Sequence, residues 1–231
     1  MEPEETLELR RSNDHLTLFA GQVSHDLRTP LTAILANAEM LAGEPAVVAD
    51  ADLRWMVDGI SRAAHRMNSM IEAMLGYARE GGVPTLRVTD LDKVFEAALH
   101  DLAPLIDETG AEVVVGALPV LPADASQLYA VAANLLSNSL KFTRPGTPPR
   151  VVVEAERRGE CWRVRVTDNG IGVSPERREA MFVLFARADK RVDGSGIGLA
   201  TAQRVVETHG GRIGMDEGEG GGTTVWFELP A

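Results

Sequence analysis

Between Leu53 and Ala78 the apolar residues Leu53, Val57, Ile60, Ala64, Met67, Ile71, Met74 and Ala78 are separated by alternating steps of four and three. An unbroken heptad of this kind puts one apolar stripe on one side of a helix, and that stripe needs a partner helix to cover it. Upstream, residues 4–42 carry a similar series, Leu16, Phe19, Val23, Leu27, Ile34, Ala38 and Leu41, at steps of three and four or their sums. The segment AGEPAVVAD separates the two, with Pro45 as a breaker and Asp50 as an N-cap for the second helix, which is expected to run to about residue 79. Two helices this long bury little by pairing only with each other. The seams therefore predict an α-helical hairpin that forms a dimeric four-helix bundle, two hairpins sharing one core. The alternative is a monomeric hairpin packed on the second domain.

The C-terminal two-thirds of the chain has a different texture. Residues 81–85, GGVPT, read as a linker. A helix is expected over 91–108, stopped by Gly110, then a strand over 111–118 and a helix from Asp124 to about Phe142. The loop RPGTPP leads into strands 150–157 and 162–168, which meet at a turn containing Gly159. A short helix is expected at Ser174–Pro175, another from Gly196–Gly198 to His209–Gly210, and closing strands over 211–216 and 223–229. The sequence thus predicts a helical domain over 1–80, a linker over 81–85 and a mixed α/β domain over 86–231.

Composition removes several function classes. The 231 residues are 45% hydrophobic and 25% charged, ordinary for a globular chain. The formal charge is -11, divided as -6 up to residue 85 and -5 beyond it. With no basic face concealed in that average, nucleic acid is not an expected partner. No apolar run approaches the ~20 residues that span a bilayer, so no membrane segment is expected. The single cysteine, Cys161, can form neither an internal disulfide nor a zinc cluster, which points to a reducing, cytoplasmic compartment.

Four segments can carry chemistry. In SHDLRTPLT, residues 24–32, Val23 and Leu27 are expected to face the bundle core, which turns His25 about 160–200° away, toward solvent. Pro30 has no N–H, so the carbonyl of Asp26 loses its helical donor and the helix is expected to bend or loosen beside His25. An exposed imidazole beside a carboxylate is a nucleophile near pH 7. In NLLSNSLK, residues 134–141, Asn134, Asn138 and Lys141 share one helical stripe, offering oxygen ligands for a metal and a cation for phosphate. DNGIG at 168–172 puts a carboxylate at a strand end before glycines that let a ligand approach the backbone. GSGIGLA at 194–200 opens a helix, whose free N–H groups favour an anion; neither a Walker A loop nor a Rossmann unit surrounds it. A glycine cluster, GEGGGTT at 218–224, precedes the last strand.

The order and spacing of these segments resemble the transmitter core of the sensor histidine kinases of two-component systems, over essentially residues 7–230. SHDLRTPLT resembles their H box and NLLSNSLKFT their N box. DNGIG and GSGIGLA resemble the two glycine boxes, with MFVLFAR at 181–187 similar to the Phe box between them. ETHGGRI and GGGTTVWFELP resemble the C-terminal end, and the leading ELRRSNDHLTLFAGQ resembles members that follow PAS, GAF or phytochrome sensor modules. The resemblance implies a dimerisation and histidine phosphotransfer domain, then a GHKL-type ATP-binding domain, an α/β two-layer sandwich. It implies that His25 takes the γ-phosphate of ATP and that Asp26 orients its imidazole. Asn138 would hold Mg²⁺, with Asn134 and Lys141 on the phosphates. Asp168 would accept from the adenine amino group, with Gly170 and Gly172 allowing the approach and Thr223 assisting. Gly194, Gly196 and Gly198 would hold phosphates and hinge a lid over 186–195, in which Arg187 and Lys190 reach the γ-phosphate. The partners implied are an aspartate of a response-regulator receiver domain, a second copy of the chain, and an upstream sensor module. Thr29, three residues after Asp26, matches the family's pattern for dephosphorylating the regulator. Ser139 stands where alanine is commoner, and Met215–Asp216 replaces a small polar residue.

A clamp ATPase of the gyrase, chaperone and mismatch-repair type would share the second domain but lacks an H box. A phosphatase-dominant or non-catalytic phosphotransfer scaffold of the same fold is the remaining alternative; intact Asn138, Asp168 and Gly196 count against a decayed nucleotide site.

Overall fold

A computed structural model describes residues 3–80, 82–187 and 195–231; the side chains of residues 3–20, Gln22, His25, 72–73, 77–80 and Glu219 lie outside the description. The chain divides into two compact units, one built on Met1–Arg79 and one on most of the chain from Glu80 onward.

The first unit holds helix α1 (Pro3–Ala42), a single short turn of helix α2 (Pro45–Ala49) and helix α3 (Ala51–Glu80). The expected break at 42–50 thus contains a helical turn of its own, because Pro45 sits at the first helical position, where its missing N–H is not needed. Asp50 caps α3: its Oδ1 accepts from the amides of Asp52 at 2.9 Å and Leu53 at 3.1 Å. Ala38, Val47 and Val57 form a small buried cluster that joins the three helices. Helix α1 is continuous through Pro30, and Thr32 Oγ donates to the Arg28 carbonyl one turn back.

Burial splits the apolar seams. Ser24, Leu31 and Ala38 are buried, seven residues apart, as are Val57 and Ala64 on α3. Six others among the described seam residues are open, while Val23, Ile71 and Met74 are partly buried. Leu27, Ile34 and Leu41 are 49%, 41% and 46% exposed, and Leu53, Ile60 and Met67 are 40%, 47% and 46% exposed. Leu27, expected to face the core, is therefore half exposed within this chain.

The second unit is a five-stranded sheet with three helices against it and a separate two-stranded ribbon. Strand β1 (Arg87–Asp90) pairs antiparallel with β3 (Val120–Ala123). The large sheet has the order β2 (Glu112–Val115), β4 (Arg150–Arg158), β5 (Cys161–Asp168), β7 (Thr223–Pro230), β6 (Arg212–Glu217). Only the β2–β4 pairing is parallel. Helices α4 (Leu91–Thr109), α5 (Ala125–Lys141) and α7 (Gly198–Thr208) contribute Phe95, Leu135, Leu136, Val205 and Val206 to one core with Val151, Val153, Val164 and Phe227 of the sheet. Between β5 and α7 lie helix α6 (Pro175–Arg178) and a 3₁₀ turn over Glu179–Phe182. The expected single strand over 111–118 is shorter, and the ribbon of β1 and β3 is an addition. Gly110 ends α4 at φ 62°, the left-handed conformation that C′ glycine supplies.

Candidate functional site

Helix α5 is held at its start by Asp124, whose Oδ1 accepts from the amides of Ser126 (3.1 Å) and Gln127 (3.2 Å). The same carboxylate takes the Thr85 amide at 2.9 Å through Oδ2, and the Asp124 amide donates to His209 Nε2 at 3.0 Å. His209 Nδ1 in turn donates to the Val205 carbonyl at 2.8 Å. The two ring contacts fix one neutral tautomer, and burial pushes the His209 pKa down.

Three of the predicted segments meet along α5. A Cβ on Gly198, the first residue of α7, would lie 2.6 Å from Asn134 Oδ1, so the glycine lets the helix start sit against that side chain as it stands. Asn134 Nδ2 donates to the Ala130 carbonyl at 2.9 Å, which ties the side chain back to its own helix. Asn138, one turn on, is half-buried, and Lys141 is exposed at the last position of the helix.

Asp168 ends β5 opposite α5. Its Oδ1 accepts from the amides of Gly170 at 2.9 Å and Thr223 at 3.1 Å, and its Oδ2 lies 3.5 Å from the hydroxyl of Ser139. Burial raises its pKa above the ordinary carboxylate value, opposed by those amides, by Ser139 and by the charge of Arg144. The glycines bring backbone onto this carboxylate. A Cβ on Gly170 would collide with the Phe142 carbonyl, and one on Gly172, at φ +72°, would strike the Gly221 carbonyl. The cluster at 218–222 thereby closes on DNGIG.

Arg144 has no sequence signature, yet its Nε donates to the Gly170 carbonyl at 2.8 Å and its guanidinium lies beside Gly221. In the sequence Asp124 and His209 mark only a helix start and a helix end, and their contact spans 85 residues.

The remaining predicted residues fall elsewhere. The Gly196 carbonyl accepts from the amide of Phe185 at 2.8 Å, and Phe185 itself has φ 66°, so the two ends of the 186–195 segment are pinned together. The Arg187 carbonyl accepts from Arg177. Lys190 and Gly194 lie outside the described residues, as does the side chain of His25. Asp26 and Thr29 are exposed on α1, in the other unit. An open cleft of about 730 Å³ lies between β1, α4 and the start of α5, beside Arg87, Lys93, Ser126 and Tyr129, and none of the predicted residues lines it.

Comparison with known proteins matches residues 15–82 to the His Kinase A (phospho-acceptor) domain. Residues 123–231 match the histidine kinase-, DNA gyrase B- and HSP90-like ATPase domain. The chain belongs to the sensor histidine kinases. It is 34% identical over 225 residues to the phytochrome-like protein Cph1 of Synechocystis, covering 96% of this chain and 30% of that protein. It is 34% identical over 245 residues to the sensor histidine kinase AruS of Pseudomonas aeruginosa, covering 97% and 24%. Among solved structures it is similar to full-length ShkA in complex with AMPPNP, at 28% identity and a TM-score of 0.66, over 91% of this chain and 45% of that one. The chain thus spans under a third of the length of these curated relatives. Residues 123–231 form an ATPase-type domain, and among the described residues no helix is long and apolar enough to cross a membrane.

Proposed function

We propose that this chain is the catalytic core of an ATP-dependent protein-histidine kinase that phosphorylates His25 and passes the phosphoryl group to an aspartate of a response-regulator receiver domain. The observation that carries the reading is the half-buried Asp168, one oxygen tied by two amides and the other left to accept, at the meeting point of two glycine-rich segments, 168–172 and 218–222. That arrangement suits an amino-bearing purine, and the solved ShkA relative is complexed with AMPPNP.

In this reading the neutral imidazole of His25 attacks the terminal phosphorus; the new N–P bond forms as the bond to the ADP oxygen breaks, and the imidazole proton is released. Asp26 orients the ring and stabilises the charge that develops on it. Asp168 takes the base, and Asn134, Lys141 and the start of α7, with Gly196 and Gly198, face the phosphates, where free helix N–H groups favour an anion. Arg187 and Lys190 complete the phosphate end. The donor set fits Mg²⁺ at Asn138, half-buried on α5 one turn after Asn134, which offers one hard oxygen. Mg²⁺ there would offset the charge on the transferring phosphoryl group. We assign residues 1–80 to dimerisation and phosphotransfer and 86–231 to nucleotide binding, in a homodimer working in the cytoplasm downstream of a sensor module.

The test is incubation with Mg²⁺ and γ-labelled ATP. Acid-labile, alkali-stable label should appear on the wild type and not on His25→Gln; label of equal amount on both overturns the assignment.

A further inference from the structure

We propose that Ser139 is a base-reading residue, its hydroxyl donating to the ring nitrogen next to the amino group that Asp168 accepts. The proposal rests on the reading of Asp168 as the adenine site.

Ser139 is 6% exposed, on the face of α5 that meets the end of β5. Its one hydroxyl proton has two acceptors in reach, the Leu135 carbonyl at 3.1 Å and Asp168 Oδ2 at 3.5 Å. The bond to Leu135 is the local back-bond that serine makes within a helix, to a carbonyl that the Ser139 amide already serves as its helical partner. Giving it up therefore orphans nothing. Asp168 Oδ1 is engaged by two amides, so Oδ2 carries the remaining acceptor capacity. Oδ2 and the Ser139 hydroxyl thus form an acceptor and a rotatable donor side by side.

That pair has a complement. Adenine presents on one edge a donor, its 6-amino group, next to an acceptor, N1. Guanine presents the reverse, an acceptor at O6 next to a donor at N1. The pair matches adenine at both atoms, whereas a lone Asp168 would match it at one. Asp168 rejects guanine through O6; Ser139 adds affinity for N1. Arg144 fits this division, since it reaches the Gly170 carbonyl and the neighbourhood of Gly221 and so braces the loops that hold Asp168.

The experiment measures binding of ADP, 1-deaza-ADP (N1 replaced by C–H) and purine riboside diphosphate (amino group removed) to the full chain and to Ser139→Ala. The wild type should bind ADP roughly 2- to 12-fold tighter than 1-deaza-ADP, the range for one neutral hydrogen bond. Ser139→Ala should bind ADP as weakly as the wild type binds 1-deaza-ADP and should no longer distinguish the two. Both proteins should still prefer ADP to purine riboside diphosphate. Unchanged discrimination at N1 in Ser139→Ala, or none in the wild type, overturns the role of Ser139 while leaving Asp168 in place. Equal binding of ADP and purine riboside diphosphate by the wild type overturns the Asp168 reading itself. The wild-type comparison does not depend on how the variant folds.

Discussion

Replacing Asp168 by asparagine should move stability and affinity in opposite directions. The side chain keeps its shape, and its Oδ1 can still accept from Gly170 and Thr223, the two amides at 2.9 and 3.1 Å. The charge is lost, and with it the acceptor at the second oxygen. Because burial raises the folded pKa of Asp168 above its unfolded value, ionising it at neutral pH costs the fold stability. Removing the charge should therefore leave the melting temperature unchanged or raise it. For the nucleotide the loss is that of a hydrogen bond to a charged group, about 1.5–3 kcal/mol, or roughly 10- to 150-fold in the dissociation constant of ADP. Calorimetric titration with ADP and thermal unfolding of the empty protein measure the two quantities. If Asp168→Asn unfolded several degrees earlier, the lost binding would reflect a damaged fold. If it bound ADP as tightly as the wild type, the carboxylate would not read the base.

The geometry also sets three other outcomes. Ile60→Glu puts a charge on an open heptad position of α3, where it costs an isolated hairpin little; sedimentation should show the dimer lost while the second unit still binds ADP, and a retained dimer would count against a shared core. His209 is pushed down by burial, so its stabilising contribution is complete above the unfolded value of about 6.5 and disappears as pH falls through its lower folded value. Wild type should therefore lose more melting temperature than His209→Gln between about pH 7.5 and 5.5, the other histidines being common to both; parallel losses would show that His209 does not titrate in the fold. Thr29→Ala should retain autophosphorylation and lose dephosphorylation of the regulator, and equal phosphatase rates in the two proteins would remove Thr29 from that step.

Local chemistry makes most elements legible. Asp50 and Asp124 are capping residues whose side chains accept from the amides just after them, and Gly110 and Gly159 occupy left-handed turns. The ribbon of β1 and β3 is hidden because each strand is only four residues long and pairs across 30 to 36 residues, so neither shows alternation enough to read. Pro30 removes one helical donor, a local cost, and α1 nevertheless continues through it. At the site, the carboxylate and glycines are readable because strand ends and close approaches demand those residue types. Arg144 and the Asp124–His209 link are not, since an arginine in a loop and a histidine at a helix end have many uses and only the fold selects one.

The exposed half of the heptad seams gives the first unit its meaning. A seam that needed only its own hairpin would leave the alternate heptad positions polar, since exposed leucine and isoleucine gain nothing from water. Instead Leu27, Ile34, Leu41, Leu53, Ile60 and Met67 recur with the same period as the buried set, each 40–49% exposed. Six apolar side chains open in register along two helices form a stripe, and a stripe of that shape is matched by another of the same shape. Covering it with a second copy converts two thin hairpins into a four-helix bundle with a common core. Such a bundle would place two copies of His25 on one stalk, each within the same molecule as two nucleotide sites. In such a bundle the stalk of each copy would lean on the other for part of its core. Dilution should therefore loosen the first unit while ADP binding by the second persists.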